Sequence, residues 1–188
     1  NNTSKFLTIP VSKGAHDDLI CERPIAGEIW IRERRKMISS LRHAYAKAPF
    51  YDEIFPLIES CLNFKTDKIF SFVEYSLCRI HEYLDMGVKI VNASDLPIDH
   101  SLRNKYKLWA MGEYLGIADY VNPHGGHDLY HKDEFREHGL NLSFIQSHLT
   151  PYAQIGTDEF FPALSIIDVL MNVGPEGARK QLAEYSLA

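Results

Sequence analysis

The chain of 188 residues has few cysteines and no long apolar run, and both absences narrow its class. Its three cysteines are too few and too widely spaced for a disulfide framework, which is typical of a reducing compartment. No stretch approaches the roughly 18 apolar residues of a membrane-spanning helix, and no apolar signal-peptide core follows Asn1. We therefore expect a cytoplasmic protein with no membrane span. The missing initiator methionine predicts that these residues are not the whole natural product.

The composition is that of a folded globular protein. Hydrophobic residues make up 45% and charged residues 24%, which excludes collagen-like and intrinsically disordered chains. The net charge is −5, so the average surface does not attract nucleic acid, and we predict no nucleic-acid partner. Nothing in the sequence calls for a cofactor, and we assign none.

Apolar periodicity predicts a helix-rich α/β fold with a small mixed sheet, in a single domain over residues 1–188. The predicted helices cover about 29–48, 54–62, 69–84, 99–115, 128–138, 164–171 and the residues after Pro175. The predicted strands lie near residues 7, 90, 119 and 143.

One predicted helix concentrates positive charge. Residues 31–48 contain six Lys and Arg against one Glu, a net charge of +5. Arg35 and Lys36 follow Arg32 by three and four residues, which places all three on one helical face. Guanidinium groups bind phosphate or carboxylate through paired hydrogen bonds, so this face predicts an anion site. The alternative is a solvated face that forms only weak surface ion pairs.

A histidine- and glycine-rich segment follows the third predicted strand. His124, Gly125, Gly126 and His127 are consecutive, and His131 lies four residues further on, a spacing that metal ligands use on a helix. No cysteine is near and no His-Glu-x-x-His pattern is present, so we assign no metal. The glycine N–H groups could bind an anion and either of the first two histidines could act as a general base. A purely structural loop is the alternative.

Two further patterns have competing interpretations. Ser165 and Asp168 have the spacing of a helix capping box, but Asp168 is also a candidate functional carboxylate. Cys61 and Cys78 are expected to be small core residues, whereas Cys21 lies beside a cation that would favour a thiolate nucleophile.

The C-terminal region contains a more specific pattern. It reads Tyr152-x-Gln154, then Phe161-Pro162-x-Leu164-Ser165-Ile166-Ile167-Asp168-Val169-Leu170-x-Asn172-x-Gly174. This motif resembles the signature of the WbqC-like family. The segments 7–11 and 45–51 together with Trp30 are similar to the strand, helix and helix exit of that family. Tyr120, Gly126 and Tyr130 match its mid-chain loop.

The resemblance implies a cytoplasmic protein of bacterial surface-polysaccharide biosynthesis, including the O-antigen of lipopolysaccharide. The function we prefer is a transferase that passes an acyl or aminoacyl group to the amino group of a nucleotide-linked sugar. A non-catalytic scaffold for a synthesis partner or an acidic acyl carrier protein is the alternative. A metal-dependent hydrolase using the histidines is a third class.

In the transferase hypothesis, Arg32, Arg35 and Lys36 bind the phosphates of a nucleotide-sugar or carrier-bound acyl donor. The loop 123–130 borders the reacting groups, and His124 or His127 takes the proton of the attacking amine. The family's Gln-Pro and aromatic-rich segment and its Asn-Arg-Asn element do not precede the strand near residue 7. We therefore expect an N-terminally incomplete or reduced version of the family domain.

Overall fold

A computed structural model describes residues 4–15 and 18–188. These residues form two compact units: unit 1 comprises the described residues of 1–87 together with 149–182, and unit 2 comprises 88–148 and 183–188. The predicted fold class, helix-rich α/β with a small mixed sheet, is confirmed. The single-domain boundary 1–188 stays a prediction. In the described part of the chain, no helix combines the length and apolar character needed to cross a membrane.

Unit 1 is helical. Its helices are α1 (Gly27–Tyr45), α2 (Tyr51–Leu62), α3 (Ile69–Tyr83) and α6 (Ile166–Leu182). The two helices that lie between α3 and α6 in the chain belong to unit 2. Trp30 and Leu41 of α1, Ile54 of α2 and Phe72 of α3 belong to one buried apolar cluster, in which Trp30 meets Phe72 edge to face at 5.5 Å. This cluster holds the helices together because burial of large apolar side chains is the main favourable term in folding.

A kink divides α6 at Gly174. Its φ of 66° is in the left-handed region, and a Cβ there would collide with the ring of Phe50. The next residue, Pro175, opens the second helical segment, where its fixed φ is favourable and its missing N–H costs nothing. The predicted end of one helix and start of another at this dipeptide is confirmed.

Unit 2 contains the sheet. Strand β1 (Asp119–Pro123) pairs in parallel with β2 (Asn141–Ser147), which pairs antiparallel with β3 (Tyr185–Leu187). Helix α4 (Asn104–Leu115) precedes β1, and α5 (Lys132–Glu137) lies in the connection from β1 to β2. A second apolar cluster contains Phe135, Leu140, Leu142 and Phe144, with Trp109 packed against it.

Two of the four predicted strands are wrong. The segment 6–11 forms only an isolated bridge between Val11 and Ile25, and residues 88–91 have no regular structure. Both segments are rich in β-branched residues, but a strand also needs a partner edge and a face to bury. Val88, Ile90 and Val91 are instead exposed. The three-residue strand β3, exposed throughout, has too little pattern to be predicted from sequence.

Three helix starts also differ from prediction. The helix predicted from residue 54 already begins at Tyr51, and Pro56 lies inside it. The helix predicted from Asp99 begins five residues later as α4, because Asp99 accepts a hydrogen bond from Ser101 N–H in a turn of its own. The helix predicted from Asp128 begins later as α5, whose N-cap is His131.

Candidate functional site

A large open groove lies in unit 1. Its volume is about 1660 Å³, and it is lined by the segment 4–9, by α1 and α3, by the end of α2 and by the segment 154–168. Helix α1 contributes polar side chains, among them Ser40 and His43, and α3 contributes mainly apolar ones. Ligand sites are concave, mostly apolar and equipped with a few convergent polar groups, which is the character of this groove.

Asp168 lies in the lining of this groove and is the centre of a buried hydrogen-bond network. Its Oδ1 accepts a hydrogen bond of 2.8 Å from Tyr45 Oη. Its Oδ2 accepts one of 2.8 Å from Tyr152 Oη and one of 3.0 Å from Gln154 Nε2. The Asp168 residue is only 6% exposed, so these three neutral donors replace the water that a carboxylate otherwise requires.

The two tyrosines of this network remain protonated phenols over the physiological pH range. Burial, reinforced by the hydrogen bond to Asp168, raises the pKa of Tyr152 to about 12. The same two causes raise the pKa of Tyr45 well above its usual range. Both hydroxyls are therefore hydrogen-bond donors to the carboxylate, and neither is a base at neutral pH.

Gln154 and Asn172 extend the network to the backbone. Gln154 Oε1 accepts a hydrogen bond of 2.7 Å from Phe161 N–H, and Asn172 Oδ1 accepts one of 2.8 Å from Ile155 N–H. Asn172 Nδ2 donates to the carbonyl oxygen of Asp168 at 2.8 Å. These bonds fix the segment 154–161 against α6, which makes this wall of the groove a rigid one.

The capping-box prediction is half right. Ser165 Oγ accepts a hydrogen bond of 3.3 Å from Ile167 N–H, as a cap should. The Asp168 carboxylate does not return to the backbone of Ser165, because it is fully engaged with Tyr45, Tyr152 and Gln154. The interpretation of Asp168 as a capping residue is therefore wrong, and its side chain belongs to the groove wall.

Apart from Tyr45, the side chains of this network belong to the C-terminal motif. The profile of the WbqC-like protein family matches residues 1–180. The chain belongs to this family. Neither curated proteins nor solved structures gave a match. Within this WbqC-like chain, Tyr152, Gln154, Asp168 and Asn172 are brought together in one network, and Gly174 provides the kink that follows.

The three predicted cations of α1 are on its surface. Arg32 Nε and Lys36 Nζ both contact Glu33 Oε1, at 3.1 and 2.9 Å, and the two side chains are 68% and 63% exposed. These contacts lower the pKa of the Glu33 carboxyl, first through Lys36 and then through Arg32. One acid therefore serves two cations, and exposed pairs of this kind are weak. Arg35 is exposed and has no hydrogen-bond or ion-pair partner within the residues that the structure describes.

These cations are not among the residues that line the groove, to which α1 contributes from Met37 onward. At about 100° per residue, Arg32, Lys36 and His43 fall within about 40° of one another on the helix. His43 lines the groove, and Lys47, just beyond the end of α1, lines it as well. Arg32 and Lys36 are therefore aligned along α1 with His43, which lines the groove.

The histidine segment of unit 2 is an exposed turn. His124 and Gly126 belong to a short 3₁₀ turn, and the His127 N–H closes it on the carbonyl oxygen of His124 at 3.1 Å. His127 and His131 flank the segment 128–130 and do not share a helix, so the metal-ligand spacing is not realised. Within the described part of the chain, no three His, Cys, Asp or Glu residues are grouped as a metal site would require.

The other predicted residues of this segment have structural contacts. The His127 ring lies 5.0 Å from that of Phe144, and Tyr130 meets Phe135 edge to face at 5.5 Å. A Cβ at Gly126 would collide with Asn122, so glycine is needed there for packing, whereas Gly125 has open space around it. The predicted anion and base roles of this turn stay predictions.

Sequence reasoning missed His43, Lys47, Tyr45 and Tyr152 as site residues. For Tyr45, Lys47 and Tyr152 a signal existed, because all three belong to segments that resemble the family pattern. Cys61 lines the groove, and burial raises the pKa of its thiol, which disfavours a nucleophilic thiolate. Cys78, expected in the core, is exposed.

Proposed function

We propose that this chain is a transferase of bacterial surface-polysaccharide biosynthesis, including O-antigen and lipopolysaccharide, that works in the cytoplasm. It would pass an acyl or aminoacyl group from a carrier-bound donor to the amino group of a nucleotide-linked sugar. The observation that carries the proposal is the alignment of Arg32 and Lys36 on α1 with His43, which lines the groove that contains Asp168. Membership of the WbqC-like family supports the biological setting.

The cationic face supplies the phosphate-binding part of the proposal. Arg35 is unpartnered among the described residues, and Arg32 and Lys36 share a single carboxylate, Glu33. A phosphate group can displace such a weak surface contact, and it gains paired hydrogen bonds to guanidinium. The negative charge of the rest of the chain makes this face the natural place for a phosphorylated ligand.

The transfer step needs a base, because the attacking amine must lose a proton. The amine nitrogen attacks the acyl carbonyl carbon, the N–C bond forms, the C–S bond of a thioester breaks, and the thiolate leaves. In unit 1, His43 is the groove-lining imidazole that can accept the proton. In unit 2, His124 and His127 remain the candidates proposed from sequence. Asp168, saturated by three donors, is proposed as a positioning residue for the groove wall.

Ligand titration tests the anion part. We expect nucleotide-sugars or acyl-CoA to raise the melting temperature of the protein, since a ligand that binds only the folded state stabilises it. The double variant Arg35→Ala/Lys36→Ala should bind the same ligand about tenfold more weakly, equivalent to about 1.4 kcal/mol, with its fold intact. The matched control Lys65→Ala/Lys180→Ala removes the same charge from exposed positions outside α1 and should bind as the wild type does.

Two results would overturn this proposal. Equal affinity of the α1 variant and its control would remove the anion site. A response to an acidic carrier protein with none to small ligands would favour the scaffold function instead. For the base, His43→Gln and His127→Ala should be compared in turnover assays, where loss of a general base lowers the rate by about 10²–10⁴-fold. Normal turnover by one variant removes that histidine from the mechanism.

A further inference from the structure

We propose that the groove of unit 1 binds the apolar acyl chain of the donor, while the cations of α1 bind the anionic part of the donor. This inference rests on the proposed transferase function and narrows its substrate class. Of the two groups considered for transfer, it selects an uncharged acyl group over an aminoacyl group. The apolar wall of the groove and the signs of the charges in its lining favour this ligand.

Helix α3 forms a continuous apolar wall. Phe72, Val73, Leu77 and Ile80 recur at helical spacing and all line the groove. Val73 is 44% exposed and Leu77 is 58% exposed, which are large values for neighbouring apolar side chains on one helical face. Contiguous apolar surface of this kind marks a binding site more often than an ordinary protein surface.

The polar atoms within this wall are already satisfied or neutral. The Ser76 hydroxyl donates a hydrogen bond of 2.8 Å to the carbonyl oxygen of Phe72. The Cys61 thiol, whose pKa burial raises, stays protonated. From the other side, Met37 and Leu41 of α1 add further apolar lining. Along the wall formed by α3, a methylene chain therefore meets no unpaired polar side chain among the described residues.

The charged residues that line the groove favour an uncharged acyl group over an aminoacyl group. Among the described residues, the groove is lined by the cations Lys5 and Lys47, and its carboxylate is that of Asp168. Because Asp168 already accepts three hydrogen bonds, it offers little to an additional ammonium group. The α-ammonium of an aminoacyl group would enter a groove whose lining carries two like charges and one opposite charge, whereas the phosphates of an acyl thioester donor are attracted by the two cations.

The test is calorimetric titration of the whole chain with free CoA and with acetyl-, hexanoyl- and decanoyl-CoA. Affinity should rise by about threefold or more for each added pair of methylenes, within the limit set by burial of apolar surface. Glycyl-CoA should bind no better than acetyl-CoA. Binding that does not depend on chain length overturns the inference and leaves the proposed transferase function standing.

Variants locate the chain in the groove. Leu77→Asp should abolish the dependence on chain length, and because Leu77 is exposed this change should not unfold the protein. Val73→Thr, which keeps the side-chain shape, should weaken the dependence. The control Leu129→Asp changes a leucine of unit 2 that is 70% exposed and should bind as the wild type does. Retained chain-length dependence in Leu77→Asp overturns the location.

The failures of the two proposals can be told apart. Chain-length dependence that Leu77→Asp abolishes, combined with no transfer to any amino sugar, supports the groove assignment and removes the transferase function. Transfer of a glycyl group in preference to a hexanoyl group supports the transferase function and removes the assignment of the groove to an acyl chain. Capture of an acidic carrier protein without binding of any acyl-CoA overturns the inference, because the groove would then not hold the chain.

Discussion

The Tyr45 hydroxyl donates a hydrogen bond of 2.8 Å to Oδ1 of Asp168, a residue 123 positions further along the chain. The other carboxylate oxygen of Asp168 accepts hydrogen bonds from Tyr152 and Gln154. One buried carboxylate thus connects the last turn of α1, the first turn of α6 and the segment 152–154 that precedes α6. The shape of the groove wall depends on this connection.

Replacing the carboxylate should destabilise unit 1. In Asp168→Asn the amide keeps one acceptor oxygen but points an N–H₂ group at hydroxyl and amide donors. We expect the free energy of unfolding in urea to fall by about 1–3 kcal/mol, the cost of unsatisfied buried groups. Asp158→Asn, at an exposed position of the same segment, should change it by less than about 0.5 kcal/mol. Equal effects of the two variants would show that the network contributes nothing.

The two tyrosines should act as a coupled pair. Tyr45→Phe and Tyr152→Phe each remove one hydrogen bond to the carboxylate, worth about 1.5–3 kcal/mol. The double variant should lose about 0.5 kcal/mol or more beyond the sum, because a single donor is then left for a buried charge. Tyr114→Phe, at an exposed site, is the control. Strict additivity in urea unfolding would contradict a shared carboxylate.

The same network predicts a loss of stability in alkali. A tyrosine in the unfolded chain titrates near pH 10, whereas burial raises the pKa of Tyr152 to about 12 and that of Tyr45 still more. The folded state therefore retains protons that the unfolded state releases. The stabilisation is complete below about pH 10 and declines as the pH rises towards the folded-state pKa.

Urea unfolding at about pH 9, 10 and 11 measures this decline. The Tyr45→Phe/Tyr152→Phe variant should have a shallower slope than the wild type, because it lacks two of the groups involved. Part of the pH dependence of stability should persist in this variant because of Tyr83, whose pKa is also raised by burial and by the hydrogen bond to Glu53. Tyr114→Phe should follow the wild type. Identical slopes in all three proteins would rule out the network as the source.

The kink of α6 should tolerate no side chain. Gly174→Ala places a methyl group against the Phe50 ring at a positive φ, so both a clash and backbone strain oppose it. Gly87→Ala has the strain alone, since its φ is 64° and nothing lies near the added Cβ. We expect Gly174→Ala to cost about 1–3 kcal/mol more than Gly87→Ala. A smaller cost for Gly174→Ala would mean that Phe50 does not fix the kink.

Local pattern in the sequence predicts the helices well and the sheet only in part. The helix predicted over about 29–48 and the break after Gly174 follow from local signals, and both are confirmed. The runs at 6–11 and 88–91 have the composition of strands, but pairing depends on residues far away in sequence, which composition does not reveal. For the same reason β3, with three exposed residues, was missed.

The site was predicted in the same uneven way. Asp168 was identified, but its partners were not, because a bond between Tyr45 and Asp168 leaves no spacing signal across 123 residues. The cationic face of α1 follows from helical spacing alone, whereas the position of His43 in the lining of the groove requires the fold. The histidine spacing does not create a shared helical face, because a turn, and not a helix, lies between His127 and His131.

The most direct test of the central claim is a crystal structure of the chain with a non-cleavable thioether analogue of decanoyl-CoA. The account predicts electron density for the alkyl chain along Val73 and Leu77 of α3, and for phosphate near Lys47 and the cationic face of α1. An alkyl chain bound outside this groove, or a groove that stays empty at saturating analogue, would contradict it.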